Sequence, residues 1–241
     1  MSHPGAPKPA EDAPVDVRER GATRDGVEQV MDRRLFMQLL AFEGDAQTLA
    51  AAMRRHGVAS VVYEDVNHPG GVGLLTWSED PTHFVKSVRP AVKDAGVHPR
   101  PELSMLGRTY STGYESDLEF WLLRRPVETA LHEGWDWAVW YPLRRLGAFN
   151  RLEGREQGSI LREHGQIGRA YGAADLAHDI RLACHGMDTN DNEFVVGLIG
   201  PTLHPLSHVV QAMRRTRQTA EFMEKMGPFF VGYAVARTPG R

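Results

Sequence analysis

The sequence predicts an α+β fold of two ferredoxin-like units, duplicated within one chain and closing together into a dimeric α+β barrel. Three observations carry this expectation. The order strand-helix-strand-strand-helix is legible twice along the chain. Two segments in corresponding places, "GLLTWSEDPTHFVKSVR" and "GLIGPTLHPLSHVVQAMR", each run strand, proline-containing turn and helix, and end in arginine. With 41% hydrophobic and 24% charged residues, the chain has enough apolar material for a core and an ordinary polar surface.

Residues 1–28 are rich in Pro, Ala, Gly and charge, lack an apolar period, and read as a disordered tail. The first unit is placed at 29–110. Its opening strand is the apolar run "RRLFMQLLAFEG" (33–44). "DAQTLAAAMRRHG" carries helix punctuation, with Asp45 to cap it and Gly57 to end it. "VASVVYEDV" and "GVGLLTW" are strands separated by the turn signal "NHPG". "EDPTHFVKSVRPAVKDAG" is a second helix, with Pro81 in its first turn and Pro90 as a kink point. A poorly periodic connector, 97–117, follows.

The second unit is placed at 111–241. The helical "SDLEFWLLRRPVETALHEG" leads into the strand "DWAVWYPLRR", where Pro142 is expected to end regular pairing. A helix over 150–170, the strands "DIRLACHG" and "NEFVVGLIG", a helix over 203–224 and the strand "FFVGYAVA" complete it. The acidic "HGMDTNDNE" (185–193) misses the EF-hand spacing and lies between strands, so it reads as a hairpin connection.

Composition narrows the function classes. A net charge of −3 offers no basic excess for nucleic acid or an anionic membrane surface. Cys184 is the sole cysteine, which excludes an internal disulfide and a CxxC metal site. No apolar run is long enough to insert in a membrane and no signal core opens the chain, so a cytoplasmic location is expected. P-loop, GxGxxG and G-x-S-x-G elements are absent.

The most informative stretch is "REHGQIGRAY" (162–171). On a helix over 155–170, His164 shares its face with Ile160, Leu161, Ile167 and Gly168, so its imidazole points inward. Gly165 and Gly168 each cost about 1 kcal/mol relative to Ala inside a helix, which implies a need for room. An iron porphyrin, with an axial imidazole and apolar walls of little bulk, explains the set. So does a core histidine satisfied by a backbone carbonyl, with the glycines marking the helix end. In "WDWAVWYPLRR", Trp137, Val139 and Tyr141 alternate onto one strand face and Trp140 onto the other. Arg144 and Arg145 then follow as cations. "MRRTRQTAEF" holds three arginines in five residues, either a carboxylate clamp or a solvated helix face.

In "YPLRR" (141–145), "LREHGQIGRAY" (161–171), "MRRTRQTAEF" (213–222) and "MGPFFVG" (226–232), the chain resembles the chlorite dismutase-like family, most closely its coproheme decarboxylase branch. The first half is similar only in the order of its elements, so the resemblance covers about 30–236. It implies a homopentamer with one porphyrin in the C-terminal half of each subunit. His164 would be the proximal iron ligand and Tyr141 the redox tyrosine. Arg145, Arg214 and Thr219 would contact propionates. The reaction implied is peroxide-dependent: iron coproporphyrin III loses two propionate carboxyls as CO₂ and becomes haem b. Chlorite dismutases carry a distal arginine on the strand after the proximal helix. Counting forward from His164 reaches Ala177, and counting back from Gly186–Asp188 reaches Asp179, so neither count finds an arginine there. That speaks against chlorite chemistry and leaves His178 as the expected base for peroxide. The alternatives are a chlorite-degrading or peroxidatic haem enzyme, and a haem carrier or sensor without catalysis.

Overall fold

The computed structural model describes residues 14–240. The first thirteen residues of the expected tail lie outside the described residues. The rest of that tail gives way to a hairpin, β1 (Glu19–Arg24) and β2 (Val27–Met31). Its turn is Asp25–Gly26, both at positive φ (51° and 80°), the conformation that tight hairpin turns take from an Asp-Gly pair. The hairpin is fastened to the chain beyond residue 108: Arg108 pairs with Glu19 at 2.9 Å, and the Ala22 N–H donates to the Glu115 carbonyl at 2.9 Å.

Next come β3 (Phe36–Glu43), α1 (Ala46–His56), β4 (Ser60–Asp65), β5 (Gly71–Ser78), α2 (Arg89–Ala95), β6 (His98–Pro99) and β7 (Met105–Arg108). Asp45 caps α1, accepting from the Thr48 N–H at 2.7 Å, and Gly57 ends it at φ 66°. The connector read as poorly periodic thus contributes two short strands. The second half holds α3 (Arg125–Leu131), β8 (Trp137–Arg145), α4 (Gly154–Ala173), β9 (His178–Ala183) and β10 (Phe194–Gly200), then α5 (Leu203–Met213), α6 (Arg217–Phe222), β11 (Met223–Met226) and β12 (Phe230–Thr238). A π-helical turn precedes α2 (Phe84–Val88) and another precedes α3 (Phe120–Arg124). Each runs into a proline, Pro90 or Pro126, where the wider turn absorbs the missing N–H and the ring's bulk.

The result is a mixed α+β fold around one antiparallel sheet of ten strands. Its order is β7-β3-β5-β4-β12-β8-β10-β9, with β6 beside β3 and β11 beside β8. The path returns to its start through one pair, Arg108 opposite Ala183, so the sheet closes on itself. Alternate residues separate the core into layers. Met37, Leu39, Tyr63, Leu75, Trp140, Ile180, Leu182 and Phe230 fill the inside of the ring. Phe42, Val62 and Leu74 face outward and pack against Leu49 and Met53 of α1 and Ala91 of α2. Val139, Tyr141, Leu143 and Leu198 form the layer beneath α4 and α5, against which Leu206 and Val209 of α5 pack. The ring is tight: a Cβ on Gly197 would come within 2.5 Å of the Trp140 indole.

Two local expectations are corrected. Pro142 does not end pairing, because β8 runs on to Arg145. The proline lies opposite the gap between β12 and β11, where residues 227–229 leave the ladder, and its carbonyl accepts from the Gly227 N–H at 2.8 Å. No ladder bond there requires the donor it lacks. The helix expected over 203–224 is broken into α5 and α6, with Thr216 extended (φ −70°, ψ 151°) between them.

Candidate functional site

Helix α4 is the least covered long element of the fold. Only Ile160 of its twenty residues is buried, whereas α1 buries five of eleven. Leu161, placed by spacing on the inward face with His164, is 43% exposed. A Cβ on Gly165 would meet only the end of the Arg169 side chain at 3.4 Å, and one on Gly168 only the Met213 methyl at 3.6 Å. The protein's own atoms therefore do not require glycine at either position. Ile160 and Ile167 pack on the protein's own core, whereas Leu161 and the surface beside the two glycines stay open.

His164 lies half-buried on that face, and its orientation is set by Thr216 in the α5–α6 break. Its Nδ1 is 3.2 Å from the Thr216 hydroxyl, which donates its only proton to the Met213 carbonyl at 2.8 Å. The hydroxyl can therefore only accept from the ring, so Nδ1 carries the proton and Nε2 presents a lone pair. Among the described residues nothing hydrogen-bonds to Nε2. Burial pushes the imidazole pKa below its ordinary value; Glu163 and Asp179 oppose this and Arg181 reinforces it. A neutral ring with a fixed proton and a free Nε2 is what axial ligation of a metal needs. Among the described residues no group of three or more His, Cys, Asp or Glu side chains could hold a metal ion. A lone imidazole suits a metal that brings its other ligands with it, as in a porphyrin.

The floor beneath α4 is the outer face of β8, β10 and β9. Tyr141 faces Val196, and Val196 faces Arg181, in one cross-strand row; Val139, Leu198 and Asp179 form the next. Tyr141 is 6% exposed and stacks on Phe229, with ring centroids 4.7 Å apart. Its hydroxyl has no hydrogen-bond partner among the described residues. Burial raises its pKa, Asp179 adds to the rise, and Arg214 lowers it in part. Tyr141 is thus a neutral phenol at physiological pH. Asp179 and Arg181 keep 37% and 41% of their side-chain surface accessible, yet loss of water is the largest influence on both ionisations.

The other expected residues divide. Arg214 follows α5, has no ion-pair partner among the described residues, and is near enough to Tyr141 for its charge to act there. Arg145 is on the Tyr141 face of β8, sandwiched 4.6 Å over both Phe149 and Phe194, with Nε 3.4 Å from Glu193. Arg144, on the opposite face, pairs with Asp191 and Glu224, each at 3.2 Å. Thr219 stands behind Thr216, 3.4 Å between hydroxyl oxygens, and so supports the His164 partner. His178 does not join the site. It shares the strand face of Ile180 and Leu182, stacks 3.6 Å from Trp135, and contacts Asp175 at 2.8 Å.

Residues 100–235, more than half of the chain, match the chlorite dismutase family profile. The chain belongs to the chlorite dismutase family. No curated protein sequence matches it. Solved structures share the fold. One is a chlorite dismutase-like protein with TM-score 0.67 and 16% identity, covering 85% of this chain and 96% of that one. A haem-binding protein from Thermus thermophilus has TM-score 0.63 and 17% identity over 85% and 92% of the two chains. A chlorite dismutase variant from Candidatus Nitrospira defluvii, in complex with cyanide, has TM-score 0.64 and 10% identity over 86% and 92%. Among the described residues of this chlorite dismutase-family chain, no helix is long and apolar enough to cross a membrane.

Two groups at the site escape sequence counting. Thr216 has no motif of its own. Arg181 lies in the predicted strand, but neither count along the sequence reached it: one stopped at Ala177 and the other at Asp179, two residues before it. Helix α4 runs on to Ala173 and the chain turns through Asp175 at φ 57°, which displaces any count made from His164.

Proposed function

We propose that this chlorite dismutase-family protein is a peroxide-dependent coproheme decarboxylase. One observation carries the reading: a buried neutral phenol, Tyr141, lies in the floor under α4 with Arg214, a cation without an ion-pair partner among the described residues, nearby, while His164 offers Nε2 from the helix above. The fold supports it through the order β-α-β-β-α-β, which recurs in both halves and fits a duplication of ferredoxin-like units. Residues 111–241 would form the porphyrin-binding unit and 29–110 the unit without one. A homopentameric assembly and a cytoplasmic setting belong to the same reading.

Iron coproporphyrin III is the substrate, and with hydrogen peroxide its iron supplies the oxidising power. His164 would hold the iron through Nε2. Tyr141 gives up its phenolic hydrogen and, as the phenoxyl radical, takes a hydrogen atom from the β-carbon of a propionate. Removal of one further electron releases CO₂ and leaves a vinyl group, so each propionate gives up two electrons and one proton, and one peroxide takes up the two electrons as it is reduced to water. Arg214 and Arg145 would hold carboxylates near the Tyr141 oxygen, where proximity does much of the work. Arg181 replaces His178 as the polar group facing the small oxidant.

The test is titration with iron coproporphyrin III, then peroxide, with mass detection of two successive CO₂ losses. Tyr141→Phe is expected to keep the porphyrin spectrum and lose at least about 100-fold in turnover, the scale of a residue that acts on the reacting atoms. No vinyl product from loaded wild-type protein excludes the reading. Arg181 favours a second reading, chlorite degradation, which oxygen evolution from chlorite would reveal. Porphyrin binding without either product would mark a carrier.

A further inference from the structure

Arg181 does not stand alone. Its Nε is 2.9 Å from Asp179 Oδ2, and its terminal nitrogens have no hydrogen-bond partner among the described residues. Asp179 is in turn held by Arg125 at the start of α3, which donates from Nη1 to the Asp179 carbonyl at 2.7 Å and from Nη2 to Oδ1 at 2.8 Å. Arg125 is itself pinned, its guanidinium 4.9 Å over the Trp121 ring. Two cations thus share one carboxylate. Glu115, the other acid close by, is engaged by donors from Ser111, Thr112 and Tyr114. A cavity of about 20 Å³, room for a single water, is lined by Tyr110, Arg125 and Arg181.

We propose that Arg125 is a positioning residue which, by occupying Asp179, leaves Arg181 with an unshared positive charge for a small monovalent anion at the site. Were Asp179 committed to Arg181 alone, the pair would be neutral and its attraction for an incoming anion slight. With Arg125 drawing on the same carboxylate, the cluster carries one surplus charge. That surplus resides on Arg181, because Arg125 turns both of its terminal nitrogens to Asp179 and has its face stacked on Trp121, while the terminal nitrogens of Arg181 have no partner among the described residues. This deepens the proposed function and rests on it for the identity of the anion, a deprotonated peroxide, but not for the charge arrangement.

The experiment measures azide affinity in ferric porphyrin-loaded protein, and the rise in melting temperature caused by azide at constant ionic strength in porphyrin-free protein. Arg125→Gln is expected to weaken azide binding roughly fivefold by letting Asp179 neutralise Arg181, while Arg125→Lys retains it. Asp179→Asn tightens binding, and the Arg125→Gln/Asp179→Asn double variant recovers at least wild-type affinity. Arg181→Gln abolishes the differences among the other variants. A double variant no tighter than Arg125→Gln, or an Arg125→Gln protein with unchanged affinity, overturns the inference. Failure to take up porphyrin would sink the proposed function instead, and the ranking of the porphyrin-free melting shifts would still decide the role of Arg125.

Discussion

A threonine hydroxyl has one proton to give, and Thr216 gives it to the Met213 carbonyl, which forces the His164 ring to donate from Nδ1. Thr216→Val keeps the shape and removes the acceptor. The imidazole then loses both its orientation and the support for its basicity, and porphyrin affinity is expected to fall about 10–100-fold in an absorption titration. The lowered pKa of His164 has its own consequence. Burial disfavours the cation, so the unfolded chain takes up a proton first; the stability from the neutral ring is complete above about pH 6.5 and declines as pH falls below it. By the same sign, protons begin to compete for a ligated imidazole only in more acid solution. The axial-imidazole signature of loaded protein is expected to be constant as pH falls through about 6.5. Loss of that signature at or above this pH would contradict the assignment. His164 and Tyr141 are legible in the sequence because helix and strand periods place them. Thr216 is not, since a kink between helices carries no periodic mark; Arg181 is legible as a strand residue, but the turn through Asp175 after α4 hides which position of that strand faces His164.

At the scale of elements, α4 combines interior glycines with little burial. Gly168 lies four residues from His164, on the same face, and a Cβ there has only the Met213 methyl as a neighbour, at 3.6 Å. Gly168→Ala is therefore expected to stabilise the porphyrin-free chain by up to about 1 kcal/mol while weakening porphyrin binding. Differential scanning calorimetry beside an absorption titration checks both halves, and a variant that binds as well as wild type would show that no ring lies over this turn. The principal strands and helices were readable from hydrophobic period and punctuation. The hairpin β1–β2 was not, because "ERGATR" and "VEQVM" are polar and barely alternate, although the Asp25–Gly26 turn is itself a hairpin signal. Strand β7 has four residues, too short for a period to register.

The molecule as a whole closes through two unequal seams. Six residue pairs join β12 to β4, but Arg108 and Ala183 alone join β7 to β9. The thin seam is braced from outside by the β1–β2 hairpin through Glu19 and Ala22. Amides of β7 and the facing end of β9 are expected to exchange with deuterium well before those of β4 and β12, and earlier still in a chain lacking residues 1–31. Equal protection at the two seams would show that closure is cooperative. This asymmetry was beyond the reach of the sequence, which indicates which strands exist but not how many residues each pairing engages.

The bareness of α4 also bears on the protein's lifetime. A helix weakened by its glycines and burying one residue in twenty would gain much of its hold from a ligand bound against it. Under the proposed function that ligand is the substrate itself. Chains without porphyrin would expose this segment to degradation while loaded ones resist it, so the supply of tetrapyrrole would set how much enzyme persists.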